Sequence, residues 1–247
     1  MMYVICFYWN GDRWQQKSYQ EKFGYLNEHK IHLDRAGKIP DDLPAKYVNN
    51  LYRGVERFAT RDFKFICFTN EKLAGLDENV ETRSFPMFTH KGVMPRVFMY
   101  SYEAGLKDSQ VLCLDLDIII VGSLKSIMDY DGLFCTRSKF KPGEEYKLDG
   151  DIISFQAGCE VENLIWKPFI RNPESADEIT KGRERYWLRY TIGNRADRWD
   201  KFAPNQIVSY KRHVIRRGIP KEASIVSCHG VPRPHQIKET WIKEFWK

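Results

Sequence analysis

The chain has 247 residues, of which 43% are hydrophobic and 14% aromatic, so it is long and apolar enough to form one α/β domain with a sizeable core. This composition excludes a chain that is disordered as a whole. The 39 Lys and Arg residues exceed the 33 Asp and Glu residues and give a net charge of +6, which suits an anionic partner. Because the basic residues are scattered, a solvated basic surface explains the charge equally well, and we expect no nucleic-acid partner.

The six cysteines form no CxxC pair. Cysteines in apolar runs usually behave as small buried hydrophobic residues. We therefore expect reduced thiols and a cytoplasmic protein rather than a disulfide framework. No apolar run approaches the ~18 residues of a membrane span, and the chain begins with a strand-like run, so we expect neither a transmembrane segment nor a signal peptide. Four cysteines lie in apolar, strand-like runs: Cys6, Cys67, Cys113 and Cys228.

The first part of the chain alternates predicted strands and helices. Residues 2–9, MYVICFYW, are β-branched and aromatic and end at a turn, which predicts a strand. Apolar residues recur every three or four positions in 47–58, which predicts a helix. Further strands are predicted at 62–70 and 78–86, and Pro95 stands where a helix can begin.

The run VLCL at 111–114 has the continuous apolar character of an inner strand that is covered on both faces. The order of strands and helices before it predicts a βαβ sheet. Residues 171–200, dense in Arg, Glu and Trp, are compatible with helix or loop. The other predicted elements are strands at 132–140, 149–158 and 222–230 and helices at 162–170 and 237–247.

The domain organisation follows from the absence of a linker, a repeat or a low-complexity tract in the sequence. We predict a single domain over residues 1–247. Residues 14–44 are polar, contain Pro and Gly and have no clear period, which indicates an irregular or partly helical insertion.

Two carboxylates, Asp115 and Asp117, interrupt the apolar run at 111–124. A carboxylate is costly to bury unless it is paired or bound to a cation. Ligands gather at the carboxyl ends of parallel strands, and alternation along an extended chain would direct both side chains to one side. We therefore expect a site for a hard divalent cation. The structural alternative is that one aspartate caps a turn and the other pairs with an arginine.

These residues also carry a family resemblance. LDLDIIIVGSL at 114–124 resembles the DxD segment of GT-A glycosyltransferases. YVNNLYRGVERF at 47–58 resembles the first helix of a bacterial branch related to the glycogenin-like, family 8 nucleotide-diphospho-sugar transferases, and 63–76 resembles its second strand and loop. IVSYKRHV at 207–214 and IVSCHGVPRPH at 225–235 resemble its C-terminal signatures. These segments span most of the chain in the expected order.

The resemblance implies a single GT-A, Rossmann-like α/β domain with a mixed, mostly parallel central sheet flanked by helices. It also implies a nucleotide-diphosphate-sugar donor, usually UDP-linked, and a divalent metal, Mn²⁺ or Mg²⁺. The family's metal ligands correspond to Asp115, Asp117 and His229, with Asp115 also positioned to contact the ribose. An imidazole among these ligands favours Mn²⁺.

For the diphosphate, the resemblance implies contacts from Gly230, Arg233 and Arg96. A glycine permits close backbone approach, and an arginine offers a fork of donors to phosphate oxygens. Arg233 stands where the family usually has Lys, so the charge is kept and the geometry changes. For Arg96 the alternative is an ordinary surface arginine.

For the nucleobase, the resemblance implies contacts from the end of the first strand, Trp9, Asn10 and Gly11, and from Asn70 after the second strand. Asn70 replaces a more usual Asp, so the resemblance gives less information about which base is bound.

The chain departs from the family in two places. The insertion at 14–44 has no family counterpart; it is either a lid or acceptor contact, or it has no part in the reaction. The family's G-D-Q motif has its nearest match at Gly182-Arg183-Glu184, without the central carboxylate. Glu184 and Asp151 are therefore the catalytic candidates beside Asp117, with Gln156 and Asp197 as further candidates for the acid or base.

Together these features predict a metal-dependent glycosyltransferase that acts on an unknown glycan, lipid or protein acceptor, with the stereochemical outcome undetermined. Two alternatives stay open. One is a nucleotidyltransferase, which also uses paired carboxylates and a metal. The other is a degenerate member that binds a nucleotide or glycan without turnover, which the missing G-D-Q carboxylate favours.

Overall fold

The computed structural model describes residues 1–9, 39, 43–86 and 93–247. Most of the predicted insertion at 14–44 lies outside these ranges. The described strands are β1 (Met2–Tyr8), β2 (Phe63–Thr69), β3 (Val80–Arg83), β4 (Gln110–Leu114), β5 (Ile118–Ile120), β6 (Phe134–Ser138), β7 (Leu148–Gln156), β8 (Asp197–Arg198), β9 (Ile207–Ser209) and β10 (Ile225–Ser227).

Among the described residues, seven strands form the central sheet in the order β3-β2-β1-β4-β7-β6-β8. The pairs β2–β3, β1–β2, β1–β4 and β6–β8 are parallel, whereas β7 is antiparallel to both β4 and β6. The sheet is therefore mixed and mostly parallel, which confirms the predicted fold class. The parallel half presents the carboxyl ends of β1, β2 and β4 at one edge, the position where open α/β sheets bind ligands.

A second, three-stranded sheet consists of β5, β10 and β9. In it, β10 is antiparallel to β5 and parallel to β9. Because β5 follows β4 after a few residues, the turn that joins the two sheets contains both Asp115 and Asp117. The end of β10 is brought beside this turn, where the Cys228 N–H donates to the Asp117 backbone oxygen at 3.0 Å.

The predicted helix at 47–58 is confirmed and begins at Pro44, a residue that suits the first turn because it has no N–H to leave unpaired. The helix predicted near Pro95 is a 3₁₀ helix, Met94–Tyr100. The segment at 171–200 contains two complete α-helices, Pro173–Thr180 and Glu184–Thr191, and the start of a third, Trp199–Phe202. The described α-helices are α1 (Pro44–Phe58), α2 (Lys125–Met128), α3 (Cys159–Val161), α4 (Lys167–Arg171), α5 (Pro173–Thr180), α6 (Glu184–Thr191), α7 (Trp199–Phe202), α8 (Ile215–Arg217) and α9 (Thr240–Phe245).

The core lies on both faces of the central sheet, and β4 contributes to both. Val111 and Cys113 pack on one face, and Leu112 and Leu114 pack on the other. This confirms the prediction of an inner strand covered on both sides. The six cysteines are free thiols, and all except Cys159 are buried. Within the described ranges no helix has the length and apolar character needed to cross a membrane.

A substitution at Gly122 tests the close contact between the end of β5 and the segment before β10. A Cβ at Gly122 would lie 2.6 Å from the Ala223 backbone oxygen, so Gly122→Ala must displace the backbone and should lower the free energy of unfolding by ~1–3 kcal/mol. Gly158→Ala is the control, because no atom lies within 4 Å of its Cβ position. Its cost should stay below ~1 kcal/mol. Urea denaturation measures both, and equal losses would contradict this account of Gly122.

Candidate functional site

Asp115 and Asp117 lie in a turn rather than in an extended strand. The Ile118 N–H donates to the Asp115 backbone oxygen at 3.1 Å, and the Asp115 N–H donates to the Asp151 backbone oxygen at 2.9 Å. The expectation that strand alternation brings the two carboxylates to one side is therefore wrong. The chain turns after β4, and this turn places both side chains at the carboxyl end of the strand.

Asp115 is held by Arg96. The Arg96 Nη1 donates to Asp115 Oδ1 at 2.6 Å, and its Nη2 donates to the Gly150 backbone oxygen at 2.9 Å and to Cys113 Sγ at 3.3 Å. The Arg96 side chain is only 7% exposed, so the alternative of an ordinary surface arginine is wrong. Burial raises the pKa of Asp115, and Asp117 raises it further, whereas Arg96 lowers it.

Asp117 is hydrogen-bonded by the Nη1 of Arg233, which follows β10. The Asp117 side chain is 11% exposed and the Arg233 side chain 24% exposed, so this pair lies nearer to solvent than Arg96 does. Burial raises the pKa of Asp117, and Arg233 opposes the shift. Both carboxylates of the DxD segment therefore pair with arginines, which extends the structural alternative of a single pair.

Asp151 lies next to the DxD turn and is fully engaged. Arg137 donates from Nε to Asp151 Oδ1 at 2.7 Å and from Nη2 to Oδ2 at 2.6 Å, and the Ser227 hydroxyl donates to Oδ2 at 2.7 Å. Burial alone would raise the pKa of Asp151, but Arg137 and Ser227 outweigh it, so the pKa is lowered. A carboxylate with both oxygens occupied by donors suits a positioning role better than proton transfer.

Glu184 begins α6 and lies beneath Arg96. Glu184 is 1% exposed, and its Oε2 lies 3.5 Å from Arg96 Nε. The Tyr100 hydroxyl donates a hydrogen bond to Glu184 Oε1 at 3.3 Å. Burial raises the pKa of Glu184, while Arg96 and Tyr100 oppose the shift. Glu184 therefore supports the arginine that holds Asp115, and it has little access to a substrate.

The two further acid or base candidates lie elsewhere. Gln156 pairs with Gln110, at the opposite end of β4 from Asp115. Asp197 lies in the edge strand β8, where it accepts a hydrogen bond from the Tyr130 hydroxyl at 2.9 Å. Neither belongs to the cluster around the DxD turn, so the structure does not bring them together with Asp117.

His229 follows β10 and closes one side of the cluster. Its Nε2 lies 2.9 Å from the Ser209 hydroxyl, and its ring stacks on Phe140 with the centroids 5.9 Å apart. The Arg137 guanidinium covers the same Phe140 ring at 3.8 Å. Burial and Arg137 lower the pKa of His229, which favours the neutral imidazole that a metal ion requires.

Lys211, like Arg137, is a residue of the site that the sequence analysis does not predict. Gly230 has a positive φ of 75°, and a Cβ there would lie 2.7 Å from the Lys211 Nζ, so the amine crosses the glycine backbone. Burial and Arg233 lower the pKa of Lys211, while Asp117 raises it. The indication in the sequence is the segment IVSYKRHV at 207–214, which resembles a family signature and contains Lys211.

The described nucleobase candidates are held near the end of β3. Trp9 packs edge-on against Phe85 with the ring centroids 6.0 Å apart. The Asn70 side-chain amide donates to the Phe85 backbone oxygen at 2.9 Å, and its oxygen accepts from the Phe85 N–H at 3.1 Å. Asn70 therefore fixes the backbone that supports Trp9. Asn10 and Gly11 lie outside the described residues.

The donor types fit a hard divalent cation, because two carboxylates and a neutral imidazole are ligands that Mn²⁺ accepts. In the described part of the chain, however, no three His, Cys, Asp or Glu side chains form a ready metal-binding group. Arg96 and Arg233 each occupy a carboxylate oxygen. A cation at Asp117 would therefore compete with Arg233 for the same side chain.

Comparisons with known proteins support the fold. No protein-family model and no curated protein sequence matches the chain. An active-site mutant of LgtC is similar at a TM-score of 0.60 and 12% identity, over 99% of this chain and 93% of that chain. The bifunctional glycosyltransferase WbbM is similar at a TM-score of 0.61 and 11% identity, over 98% of this chain and 48% of that chain. The glycosyltransferase GlyE of Streptococcus pneumoniae TIGR4 is similar at a TM-score of 0.57 and 12% identity, over 99% of this chain and 59% of that chain. The chain therefore has the GT-A glycosyltransferase fold.

Two variants compare the deeply buried Asp151–Arg137 pair with the Asp117–Arg233 pair, whose arginine is partly exposed. Asp151→Asn leaves the Arg137 side chain, 3% exposed, without its main partner and should lower the free energy of unfolding by ~3–5 kcal/mol. Asp117→Asn should cost at most ~1 kcal/mol, because Arg233 can turn towards solvent. Denaturant unfolding in EDTA measures both, and a larger loss for Asp117→Asn would contradict this ranking.

The Asp151–Arg137 pair should also make the stability depend on pH. Since the folded pKa of Asp151 lies below the unfolded value, the contribution of Asp151 to the free energy of unfolding is present at neutral pH and is lost as the pH falls through the folded pKa.

Proposed function

We propose that the protein is a glycosyltransferase that transfers a sugar from a nucleotide-diphosphate sugar, UDP-linked, to a glycan, lipid or protein acceptor. The observation that carries the proposal is the DxD turn at the carboxyl end of β4 in a GT-A fold, with Arg233 and Lys211 beside it. The likeness to LgtC supports it, because that galactosyltransferase was solved with donor and acceptor sugar analogues.

The donor diphosphate would bind between Gly230, Arg233 and Lys211. Gly230 has no side chain to block the approach of a phosphate, and its amide belongs to the segment that follows β10. Arg233 and Lys211 supply positive charge from two different segments. Fixed positive charge at this place would stabilise the negative charge that develops on the departing nucleotide diphosphate.

Asp115, Asp117 and His229 would hold a divalent metal, with Mn²⁺ favoured over Mg²⁺ by the imidazole. Such a metal would act as a Lewis acid that neutralises charge on the departing diphosphate. Arg233 would then exchange its carboxylate partner for the donor phosphates, to which its guanidinium can donate two hydrogen bonds. Arg96 would keep Asp115 in place throughout, because its Nη2 already donates to the Gly150 backbone oxygen and to Cys113 Sγ within the fold.

Asp151 and Glu184 would position groups rather than transfer protons. Asp151 fixes Arg137, and Glu184 supports Arg96. The rate would then depend on alignment of donor and acceptor and on stabilisation of the leaving group, without a protein acid or base among these candidates. We also propose a cytoplasmic location, which the six free thiols support.

One observation favours a second candidate, a member that binds a nucleotide or glycan without turnover. Each DxD carboxylate is already neutralised by an arginine, so the described residues can bury this charge without a metal. A nucleotidyltransferase has no such support from the described geometry. It is distinguished by its product, since it would release pyrophosphate from a nucleoside triphosphate.

A donor screen tests the proposed reaction. Purified protein is incubated with nucleotide sugars and Mn²⁺ or EDTA, and nucleotide release is measured; we expect UDP release that requires Mn²⁺. Asp117→Asn should reduce the rate to below ~1% of wild type while the melting temperature is kept, because the amide removes the charge that a hard cation needs. Tight UDP binding without turnover would support the binding-only candidate, and pyrophosphate release would support the nucleotidyltransferase. Equal UDP affinity in Mn²⁺ and in EDTA would refute the metal site.

Lys211→Met tests the contact to the diphosphate. We expect the affinity for UDP to fall ~10-fold, about 1.4 kcal/mol, because one charge-assisted contact is lost. The affinity for uridine, which has no phosphate, should not change, and Lys211→Arg should restore part of the UDP affinity. Calorimetry measures all three ligand–variant pairs. If uridine weakens as much as UDP, then Lys211 supports the fold of the site and does not contact the phosphates.

A further inference from the structure

A surface beside the donor site combines exposed aromatic rings with arginines. We call it the α6 surface and define it by Tyr146, Arg185, Arg189 and Arg198. The Arg189 guanidinium lies 5.2 Å from the centre of the Tyr146 ring, and the Lys147 amine lies 5.5 Å from the same centre. Arg198 Nη2 is 3.4 Å from the Tyr146 backbone oxygen. Tyr146 is nevertheless 60% exposed, so its ring is available to a ligand.

The charge of this surface is positive and incompletely balanced. Six residues in 181–198 are Lys or Arg and two are acidic. Those two are already engaged, Glu184 with Arg96 and Asp197 with Tyr130. Asp149 lies 3.9 Å from Arg185 but also pairs with Arg137 at 3.1 Å. Glu144 is shared by three lysines, and Glu145 is exposed and accepts the Gly143 N–H.

Two guanidinium nitrogens of this surface have no hydrogen-bond partner among the described residues: Arg185 Nε and Arg198 Nη1, both buried. Burial lowers the pKa of Arg198. Unpaired buried donors are uncommon because each one costs free energy. These two nitrogens do not reach solvent, so the charge that can accept further anionic groups is the incompletely balanced charge of the exposed guanidinium groups.

The α6 surface is continuous with the donor site. Glu184, the first residue of α6, lies beneath the Arg96–Asp115 pair, and Arg189 is five residues further along the same helix. At 1.5 Å per residue, the two positions are about 7–8 Å apart along the helix axis. Asp149 makes a second link between the surface and the site, because it lies 3.9 Å from Arg185 and 3.1 Å from Arg137, which holds Asp151.

We propose that the α6 surface binds an acceptor saccharide that carries anionic groups, carboxylate or phosphate. This inference rests on the proposed function, because it identifies the surface as the acceptor side of that site. The Tyr146 ring, in a residue that is 60% exposed, offers apolar surface to the C–H groups of a sugar ring. Arg189 and Arg185 offer forked donors that match a carboxylate or a phosphate. A neutral saccharide would leave these charges unbalanced.

The test compares one saccharide with and without its charge. Calorimetry is performed with tetragalacturonate, with its fully methyl-esterified neutral form, and with maltotetraose phosphorylated at a primary hydroxyl. We expect an anionic saccharide to bind at least ~10-fold more tightly than the neutral ester. The stronger of the two anionic ligands identifies carboxylate or phosphate as the preferred group. If neither anionic saccharide binds, or if the ester binds equally well, the proposal is overturned.

Matched variants locate the binding. Arg189→Gln should weaken the anionic saccharide at least ~10-fold, about 1.4 kcal/mol, and Tyr146→Leu should weaken it as well. Arg216→Gln is the control, because Arg216 is an exposed arginine of α8 and the change in net charge is the same. Equal effects of Arg189→Gln and Arg216→Gln would overturn the proposal, since they would indicate only a long-range effect of net charge.

UDP affinity is measured on the same proteins, and Arg189→Gln should leave it unchanged. The two proposals can then fail separately. If UDP binds but the saccharide does not depend on Arg189, the α6 surface is refuted and the donor site stands. If the saccharide depends on Arg189 but no variant binds UDP, the glycosyltransferase proposal falls and the surface remains a site for anionic saccharides.

Discussion

The site depends on carboxylates that lie close together at the carboxyl end of β4: Asp151 and Glu184 are buried, and the Asp115 side chain is 35% exposed. Such a cluster is stable only if positive charge is buried with it, because isolated carboxylates in a low-dielectric interior are costly. Arg96 and Arg137 supply that charge from two separate elements, the 3₁₀ helix before β4 and the strand β6. The Arg96–Asp115 bond therefore also joins the 3₁₀ helix to the turn after β4, and the Arg137–Asp151 bonds join β6 to β7.

The sequence predicted most of the fold because burial leaves a local pattern. Continuous apolar runs identified the inner strands, and the period of 47–58 identified α1, with Pro44 marking its true beginning. The error about Asp115 and Asp117 has a local cause. Whether the chain stays extended or turns after Leu114 depends on hydrogen bonds, among them the one from the Asp115 N–H to Asp151, a residue far along the chain.

The charged part of the site was harder to predict for a related reason. Arg137 was missed because an arginine inside a short strand usually indicates an exposed side chain, and only its bidentate pairing with Asp151 explains its burial. Asn70 was expected at a nucleobase, yet both ends of its amide serve the backbone of Phe85. Residue type indicates which chemistry is available, whereas the partner, which decides the role, comes from residues distant in sequence.

The three arginines of the cluster differ in the number of their partners and in their exposure to solvent. Arg137 is bound by both oxygens of Asp151 and by Asp149, and Arg96 is bound by a side chain, a backbone oxygen and a thiol, so neither can move without leaving buried charge unpaired. The Arg233 side chain, on the segment after β10, is 24% exposed, against 7% for Arg96 and 3% for Arg137. A partner can be exchanged at low cost only where water can compensate the charge during the exchange. Arg233 is therefore the arginine of the cluster that can exchange its partner at the lowest cost, whereas Arg96 and Arg137 stay with the carboxylates that they hold.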